Sequence, residues 1–311
     1  MSIIDIHAHG LGGYDTKSAT PENILRIAEI HGSCGVSAII PTIYSGPIDL
    51  MRADIAAVKK AMELQKRDGR WEIGDGSERA LEPEAGDLKP ATILGVHLEG
   101  PFLNPARAGA LDKNSFLPPS IPDFQRLIEG FDKVIKIITV APELDGALEL
   151  IQSIADMGII VSMGHSDATY TEAETGFNAG AKGITHIFNA MRGIHHREPG
   201  IAGFGLINPH VYVEVIADTF HLHPKTIELI FSMKKPDKII IVSDSVKETQ
   251  LDNPTGGIKD PTGRLLGGSM SINKSAKYLI DLGFEKDIVE QCISSNPSRY
   301  LINELSPVSL S

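Results

Sequence analysis

The chain has 311 residues, a formal net charge of −11 and a hydrophobic fraction of 42%. An acidic chain without a lysine- or arginine-rich block repels a phosphate backbone, which argues against a nucleic-acid partner. The sequence contains no apolar run of the roughly 18 residues that a membrane span needs and no N-terminal secretory signal. Cys34 and Cys292 are far apart and fit two reduced thiols. We therefore expect a cytoplasmic protein that binds neither nucleic acid nor membrane.

Short apolar, β-branched segments recur along the chain. They predict eight strands: "SIIDIHA" (2–8), "SAIIPTI" (37–43), "TILGVHLE" (92–99), "VIKIITVA" (134–141), "GIIVSMGH" (158–165), "GITHIFN" (183–189), "VYVEVIAD" (211–218) and "KIIIVSD" (238–244). Strands that are continuously apolar and separated by helices are typical of a parallel sheet covered by helices. Eight such units predict an α/β fold, a (β/α)8 TIM barrel.

The segments between and after these strands show helical periodicity or turn signals. Helices are predicted at 21–34, 49–67, 144–158, 169–180, 223–235, 273–283 and 286–302, with a hairpin-like loop at 253–271. The charged, glycine-rich segment 65–91 predicts a surface insertion in which Trp71 packs in a small surface cluster. We expect residues 1–311 to form one catalytic barrel domain that carries this insertion.

The C-terminal end of nearly every predicted strand carries a potential metal ligand or acid–base group. These residues are His7, His9, Glu99, His165, His186, His221 and Asp244. His7 and His9 would project together, because alternate residues of a strand share a face. Barrel enzymes build their active sites at this rim, so closure of the barrel would bring these distant residues together.

Imidazole nitrogens and carboxylate oxygens suit Zn²⁺ or Fe²⁺ better than Mg²⁺, which prefers oxygen ligands and water. The candidate metal ligands are His7, His9, Glu99, His165, His186 and Asp244. The fourth predicted strand ends in "VAPE" without a lysine, which excludes a carbamylated lysine as a bridge between two metals. Glu99 can supply a bridging carboxylate instead.

Five segments, "HLEGPFLNP", "GHSDATY", "THIFNAM", "HHREPG" and "IVSDS", together resemble the N-acetylglucosamine-6-phosphate deacetylases of the amidohydrolase superfamily. The resemblance runs from residue 3 to "NPSRYL" near residue 301 and implies a barrel of the metal-dependent hydrolase type. It implies that Glu99, His165 and His186 hold one ion. Members that retain a histidine pair, as His7 and His9 are retained here, tend to hold a second, so we expect one or two divalent ions.

The resemblance also implies roles for residues around the metal. Asp244 would take the proton from the attacking water and pass it to the leaving amine, and His221 would hydrogen-bond the substrate near the scissile carbonyl. Asn189 and Ala190 would contribute further hydrogen bonds to the substrate, Ala190 through its backbone.

A phosphate-binding residue is also implied. Arg197 corresponds to the family residue that meets the sugar phosphate, and a guanidinium fits two phosphate oxygens well. His195 and His196 lie beside it and are candidates for the same anion, although positions in a solvated loop would explain them equally. The other histidines are expected to be structural or incidental, and they are His31, His97, His210 and His223.

Two features depart from the family pattern. Leu111 stands where the family usually has a histidine that touches the sugar, which leaves the substrate open. We also expect the family's small β-sandwich domain to be absent, because the sequence begins on the first predicted strand and ends soon after the last predicted helix. Loss of this domain would expose apolar surface, so we expect a homodimer.

The leading hypothesis is a metal-dependent amide hydrolase that deacetylates a phosphorylated N-acetyl amino sugar such as N-acetylglucosamine 6-phosphate. One alternative is another hydrolase of the superfamily with a different substrate. A compact DNase-like metallo-hydrolase also begins with "D-x-H-x-H", but the acidic charge and the "HLEGP" and "HHREPG" segments argue against it. Intact Asp244 and His221 argue against a metal-binding barrel without catalysis.

Overall fold

Eight parallel strands run through the centre of the computed structural model, which describes residues 2–67, 89–249 and 256–302. Labelled β1 to β8 in chain order, they are Ile4–Ala8, Ala38–Tyr44, Val96–Glu99, Ile135–Val140, Ile160–Met163, Gly183–Ile184, Tyr212–Ile216 and Ile239–Val242. Each strand pairs in parallel with the next one along the chain. The predicted (β/α)8 fold class is therefore confirmed.

The barrel closes between β8 and β1 through the residues that follow β8. The backbone N–H of Asp244 donates to the His7 carbonyl at 2.9 Å, and Ser245 forms a parallel bridge with Ala8. Because this closure lies at the C-terminal ends of both strands, it places Asp244 beside the two histidines of the first strand.

Helices cover the outside of the barrel. Those in the described residues, labelled α1 to α10, are Pro21–Ser33, Ile48–Arg67, Ile121–Ile128, Ala147–Asp156, Tyr170–Asn178, Gly200–Ile207, Pro224–Met233, Ile272–Asp281, Lys286–Ile293 and Ser295–Ile302. Helices α3 and α6 were not expected from the sequence periodicity. α3 has eight residues and begins where the Ser120 side chain accepts a hydrogen bond from the Asp123 N–H. α6, "GIAGFGLI", is apolar on all sides and lacks an amphipathic period.

Several strands are shorter than the predicted segments, and two of the segments differ by more than their ends. Segment 92–99 divides into Thr92–Ile93, which pairs with β2, and β3. At Gly95 between them, an added Cβ would lie 2.5 Å from the Val134 carbonyl oxygen, so the backbone passes β4 too closely for a side chain. Segment 183–189 forms a ladder only at β6, because His186 adopts a positive φ that leaves the extended conformation.

The barrel interior has an apolar layer and a polar layer. Isoleucine and valine side chains from the strands pack together around residues such as Ile6, Ile137 and Ile240. The polar layer is a chain of hydrogen bonds that links His97, Thr139, Thr185 and Ser162 over 2.9, 2.9 and 2.7 Å. His97 also contacts the Ile6 carbonyl, so both of its ring nitrogens have partners inside the barrel.

The predicted loop at 253–271 contains a short antiparallel hairpin of Ile258–Lys259 with Leu265–Gly267. Most of the predicted surface insertion, including Trp71, lies outside the described residues. Within the ranges that the structure describes, no helix combines the length and hydrophobicity of a membrane span.

Candidate active site

Residues at the ends of three other strands converge on Glu99, the last residue of β3. Glu99 Oε1 lies 3.1 Å from His165 Nε2, past β5, and 3.0 Å from His186 Nε2, past β6. Its other oxygen, Oε2, lies 3.1 Å from His9 Nε2, just past β1. All of these side chains are buried. The structure thus brings together the side chains that the sequence placed at the barrel mouth.

These side chains form two groups that could each hold a metal ion. The β1 triad is His7, His9 and Glu99, and the β5/β6 triad is Glu99, His165 and His186. Within each triad, one ligand atom per residue lies within 4.8 Å of the others. Glu99 belongs to both, which is the bridging position predicted for it.

Asp244 lies beside the β1 triad and reaches the solvent side of the site. Its Oδ1 atom is 3.5 Å from His7 Nε2 and 3.6 Å from His9 Nε2. Its side chain is 13% exposed, whereas the His7 side chain is fully buried. Asp244 can therefore contact both the triad and a molecule in the space above it.

Hydrogen bonds from the far side of the rings orient three of the four imidazoles. The Nδ1 contacts are His7 with Glu214 Oε2 at 3.0 Å, His9 with the Thr42 carbonyl at 3.1 Å, and His165 with the Arg107 carbonyl at 2.9 Å. An imidazole that donates through Nδ1 presents the lone pair of Nε2 to a metal. The donor atoms therefore point to a common centre before any ion binds.

Three of the converging residues adopt a backbone conformation that non-glycine residues rarely adopt. The φ angles of His165, His186 and Asp244 are +47°, +31° and +47°. Each residue lies just past its strand, where this turn directs the side chain toward the barrel mouth. Such strain is common at functional sites and costs about 1–3 kcal/mol per residue.

The electrostatics of the triads fit a bound cation. Burial lowers the pKa of His7, but the carboxylates of Asp244, Glu214 and Glu99 together raise it well above its ordinary value. Burial raises the pKa of Glu99, but the neighbouring imidazoles of His165, His186 and His7 bring it well below its usual range. His7 Nε2 is buried without a hydrogen-bond partner and faces two carboxylates. A divalent ion would satisfy these groups, so the residues present fit a metal.

A cavity of about 600 Å³ opens above the triads. Its floor includes His9, Glu99, His165, His186 and Asp244. Three predicted substrate-binding residues, Asn189, Ala190 and His221, line its wall, as does Leu111. The cavity therefore joins the metal-binding floor to polar groups that could hold a substrate.

Asp218 holds His221 in place at the cavity wall. The Asp218 carboxylate lies 2.9 Å from His221 Nδ1 and accepts the backbone N–H of His221 at 2.7 Å. Burial lowers the pKa of His221, but Asp218 more than offsets this and raises it. Burial raises the pKa of Asp218, but the hydrogen bonds from His221 bring it to about 2. The pair keeps His221 suited to donate a hydrogen bond.

The loop of Arg197 stands apart from this group. Arg197 and His196 are exposed, contact each other at 2.9 Å and are not among the residues that line the cavity. The cationic side chains on the cavity wall are instead Lys17, Lys247 and Arg264. Arg264, in the hairpin after β8, donates to the Gly109 carbonyl at 2.7 Å. Among the described residues, the predicted phosphate ligands Arg197 and His196 therefore lie outside this cavity.

Two residues next to the triads were not predicted from the sequence. Tyr44, the last residue of β2, stacks on the His9 ring at a centroid distance of 3.8 Å and an angle of 15°. Glu214 is the only charged residue of β7, "YVEVI". A single acid in the middle of a continuously apolar strand was the signal that could have identified Glu214.

Three histidines expected to be structural belong to neither triad. His223 caps α7, where its Nδ1 accepts the Lys225 N–H at 3.2 Å. His31 is buried in α1, and burial lowers its pKa to about 4. His97 belongs to the polar layer of the barrel, two residues before Glu99.

Comparison with known proteins decides the family. The amidohydrolase family model matches residues 2–260. The chain belongs to the amidohydrolase family. This amidohydrolase is 32% identical over 289 residues to N-acetylglucosamine-6-phosphate deacetylase from Vibrio furnissii and 34% identical over 279 residues to that from Bacillus subtilis. It is 28% identical over 295 residues to N-acetylgalactosamine-6-phosphate deacetylase from Escherichia coli O157:H7.

These alignments cover 89%, 90% and 90% of the amidohydrolase chain and 67%, 64% and 72% of the respective relatives. Among solved structures, N-acetylglucosamine-6-phosphate deacetylase from Thermotoga maritima is 27% identical with a TM-score of 0.80, covering 96% of this chain and 78% of that one. The Mycobacterium smegmatis enzyme, 24% identical with a TM-score of 0.83, shares the fold and covers 96% and 77%. The family predicted from the motifs is confirmed.

Proposed function

We propose that this amidohydrolase is a metal-dependent deacetylase that hydrolyses the N-acetyl amide of an amino-sugar phosphate, such as N-acetylglucosamine 6-phosphate. Water cleaves the amide C–N bond, which yields acetate and the free amine. The convergence of Glu99, His165, His186 and Asp244 at the floor of one cavity carries this proposal. The curated relatives, which act on N-acetylglucosamine or N-acetylgalactosamine 6-phosphate, support it.

Each triad is proposed to bind one divalent ion, with Asp244 as a further ligand on the β1 side. The mixture of imidazole and carboxylate donors favours Zn²⁺ or Fe²⁺. When bound, such an ion supplies Lewis acidity, lowering the pKa of a water molecule and polarising the amide carbonyl. Elemental analysis of protein purified without added metal, together with metal counting after dialysis, tests the identity and the number of ions.

Asp244 and His221 are assigned the two catalytic roles. The Asp244 carboxylate takes a proton from the attacking water and delivers it to the leaving nitrogen, a task that its position between triad and cavity permits. His221 donates a hydrogen bond to the carbonyl oxygen as negative charge develops there. Its anchorage on Asp218 fixes the ring for this purpose.

The substrate is held by residues of the cavity wall and of one exposed loop. Asn189 and Ala190 are proposed to hydrogen-bond the sugar and its acetyl group, Ala190 through its backbone. Arg197 and His196 are proposed to bind the phosphate. Because neither lines the cavity of its own chain, this contact requires the loop to approach the mouth or a second copy to present it.

A homodimer is proposed as the assembled form. Four large apolar side chains near the Arg197 loop and on α6 and α7 are exposed and support this proposal. They are Ile194 (49% exposed), Ile207 (53%), Leu229 (42%) and Met233 (48%). Sedimentation velocity at micromolar concentration tests the proposal, and a monomer there would refute it.

Two further proposals concern the domain organisation of the chain and its location in the cell. Residues 1–311 are proposed to act as one catalytic barrel domain, with 65–91 as a surface insertion; the strands that supply the site extend from Ile4 to Val242. A cytoplasmic location is proposed because both cysteines, Cys34 and Cys292, are free thiols.

The decisive experiment measures acetate release from N-acetylglucosamine 6-phosphate, N-acetylgalactosamine 6-phosphate and unphosphorylated N-acetylglucosamine. We expect turnover of a phosphorylated substrate by metal-loaded protein and its loss in Glu99→Gln, because Glu99 is shared by both triads. A metal-loaded protein that releases acetate from none of them would refute the proposal. A parallel nuclease assay distinguishes the DNase-like alternative.

A further inference from the structure

Glu214 is a buried carboxylate that the proposed mechanism does not use. It lies in the middle of β7 and is 2% exposed. Its Oε2 atom contacts His7 Nδ1 at 3.0 Å, and its Oε1 atom has no hydrogen-bond partner. Within the described ranges, His7 is its only ion-pair partner. Removing a carboxylate from water costs several kcal/mol unless a positive charge compensates it, so this position requires an explanation.

The opposite edge of the His7 ring faces the β1 triad. His7 Nε2 lies 3.5 Å from both Glu99 Oε1 and Asp244 Oδ1, without a hydrogen bond to either. The ring therefore stands between one acid behind it and two acids in front. A cation coordinated by His7 Nε2 would balance this arrangement of negative charge.

The contact behind His7 differs from those behind the other oriented ligands. His9 and His165 contact the backbone carbonyls of Thr42 and Arg107, which are neutral dipoles. His7 alone among these three has a side-chain carboxylate as its partner. A carboxylate that accepts the Nδ1–H increases the basicity of Nε2 more than a carbonyl does, and loss of such a partner typically weakens metal binding about 10- to 100-fold.

We propose that Glu214 is a positioning residue that sets the affinity of the β1 triad for its ion through His7, leaving the β5/β6 triad unaffected. It fixes the orientation of the His7 ring, strengthens Nε2 as a donor and supplies negative charge that the bound ion offsets. No hydrogen bond joins Glu214 to His165 or His186 in the described structure, so its influence is confined to one ion. The inference rests on the part of the proposed function that assigns an ion to each triad.

Metal counting tests this inference without reference to catalysis. Wild type, Glu214→Gln and Glu214→Asp are stripped of metal, dialysed against Zn²⁺ and titrated in competition with a chromophoric chelator. Ser162→Ala serves as a matched control, because Ser162 is equally buried in the barrel but its hydroxyl bonds Thr185 rather than a ligand. Thermal unfolding of each metal-free variant reports whether it is folded.

We expect wild type and Ser162→Ala to bind two Zn²⁺ ions with the same two affinities. Glu214→Gln keeps the size of the side chain but loses its charge, so one of the two affinities should fall about 10- to 100-fold while the other is unchanged. Glu214→Asp keeps the charge but moves it away from His7 by one methylene. The affinity of its β1 triad for Zn²⁺ should therefore lie between that of wild type and that of Glu214→Gln.

Wild-type affinity for both ions in Glu214→Gln would overturn the inference, as would an equal loss at both sites or a wild type that binds a single ion. If Glu214→Gln does not fold, Glu214→Asp decides by the same criteria. A wild type that binds two ions but releases no acetate would refute the proposed function and leave the inference about Glu214 standing.

Discussion

The floor and the rim of the cavity are built in different ways. The floor consists of buried side chains at the ends of strands, and Glu214 and the backbone carbonyls of Thr42 and Arg107 orient three of the four triad imidazoles. The rim consists of loop residues such as Leu111, Arg264 and Arg197, of which the last does not line the cavity. Closure of the barrel determines the floor, whereas the individual loops determine the rim. We therefore expect the floor to carry the bond-breaking chemistry and the rim to select the substrate.

Asp244→Asn should produce the largest effect, because it removes the proton-transferring group of the floor. We expect kcat for acetate release to fall about 10²- to 10⁴-fold with little change in KM. Metal content is measured on the same samples, since Asp244 lies beside the β1 triad and its loss could also release an ion. A fully metallated variant that retained wild-type kcat would place the acid–base group outside the floor.

The strands and the convergence of Glu99, His165 and His186 could be predicted, because a parallel barrel brings the C-terminal ends of all its strands to the same end of the barrel. Glu99, His165 and His186 meet as expected, although they come from three different strands. Sequence periodicity did not reveal that β6 ends at Ile184, since the turn that aims His186 inward depends on a positive φ rather than on apolar spacing.

Other features depend on packing that no local pattern encodes. α6 is buried from Gly200 to Leu206, and Gly205 allows it to approach β6, because an added Cβ would lie 3.2 Å from the side chains of Ile184 and Ile187. Tyr44 contacts His9 across neighbouring strands, and the resemblance to known deacetylases gave no reason to select it. The position of Arg197 outside the cavity follows from the path of its loop, which the motif alone did not specify.

His221→Asn should have the next largest effect, because His221 lies on the wall but acts on the reacting carbonyl. Removal of one such donor costs about 3 kcal/mol in the transition state, or roughly 10²-fold in kcat. The metal content should equal that of wild type, since His221 belongs to neither triad. If His221→Asn also lost metal, the wall residue His221 would contribute to metal binding on the floor.

The pH profile of Asp218→Asn tests how the wall tunes His221. The Asp218 carboxylate raises the pKa of His221, so the protonated donor persists to higher pH than an ordinary imidazole would. Without that charge the pKa of His221 falls, and the alkaline decline of kcat/KM should begin at lower pH. An unchanged profile would mean that the protonation of His221 does not limit the reaction.

Arg197→Ala and Arg264→Ala together test which arginine binds the substrate phosphate: Arg197 of the exposed loop or Arg264 of the chain's own cavity wall. A charged hydrogen bond to phosphate contributes about 1.5–3 kcal/mol, so Arg197→Ala should raise KM for the phosphorylated substrate at least about 10-fold. The KM of the unphosphorylated sugar should not change. Arg264→Ala should have less effect, because its guanidinium is already engaged by the Gly109 carbonyl. If Arg264→Ala raised KM more than Arg197→Ala, the phosphate would bind at the chain's own cavity wall.

Leu111→His should produce the smallest effect. It most directly tests whether the rim selects the substrate without influencing the bond-breaking step on the floor. Leu111 lines the cavity where the resemblance expects a histidine that touches the sugar. A new hydrogen bond to a sugar hydroxyl is worth about 0.5–1.5 kcal/mol, so KM should change by roughly two- to tenfold, and unequally for the two epimeric sugar phosphates. Leu111→Phe, which cannot donate a hydrogen bond, controls for the added ring. If kcat changes as much as KM at wild-type metal content, loop residues influence the bond-breaking step, and substrate selection cannot be separated from the floor.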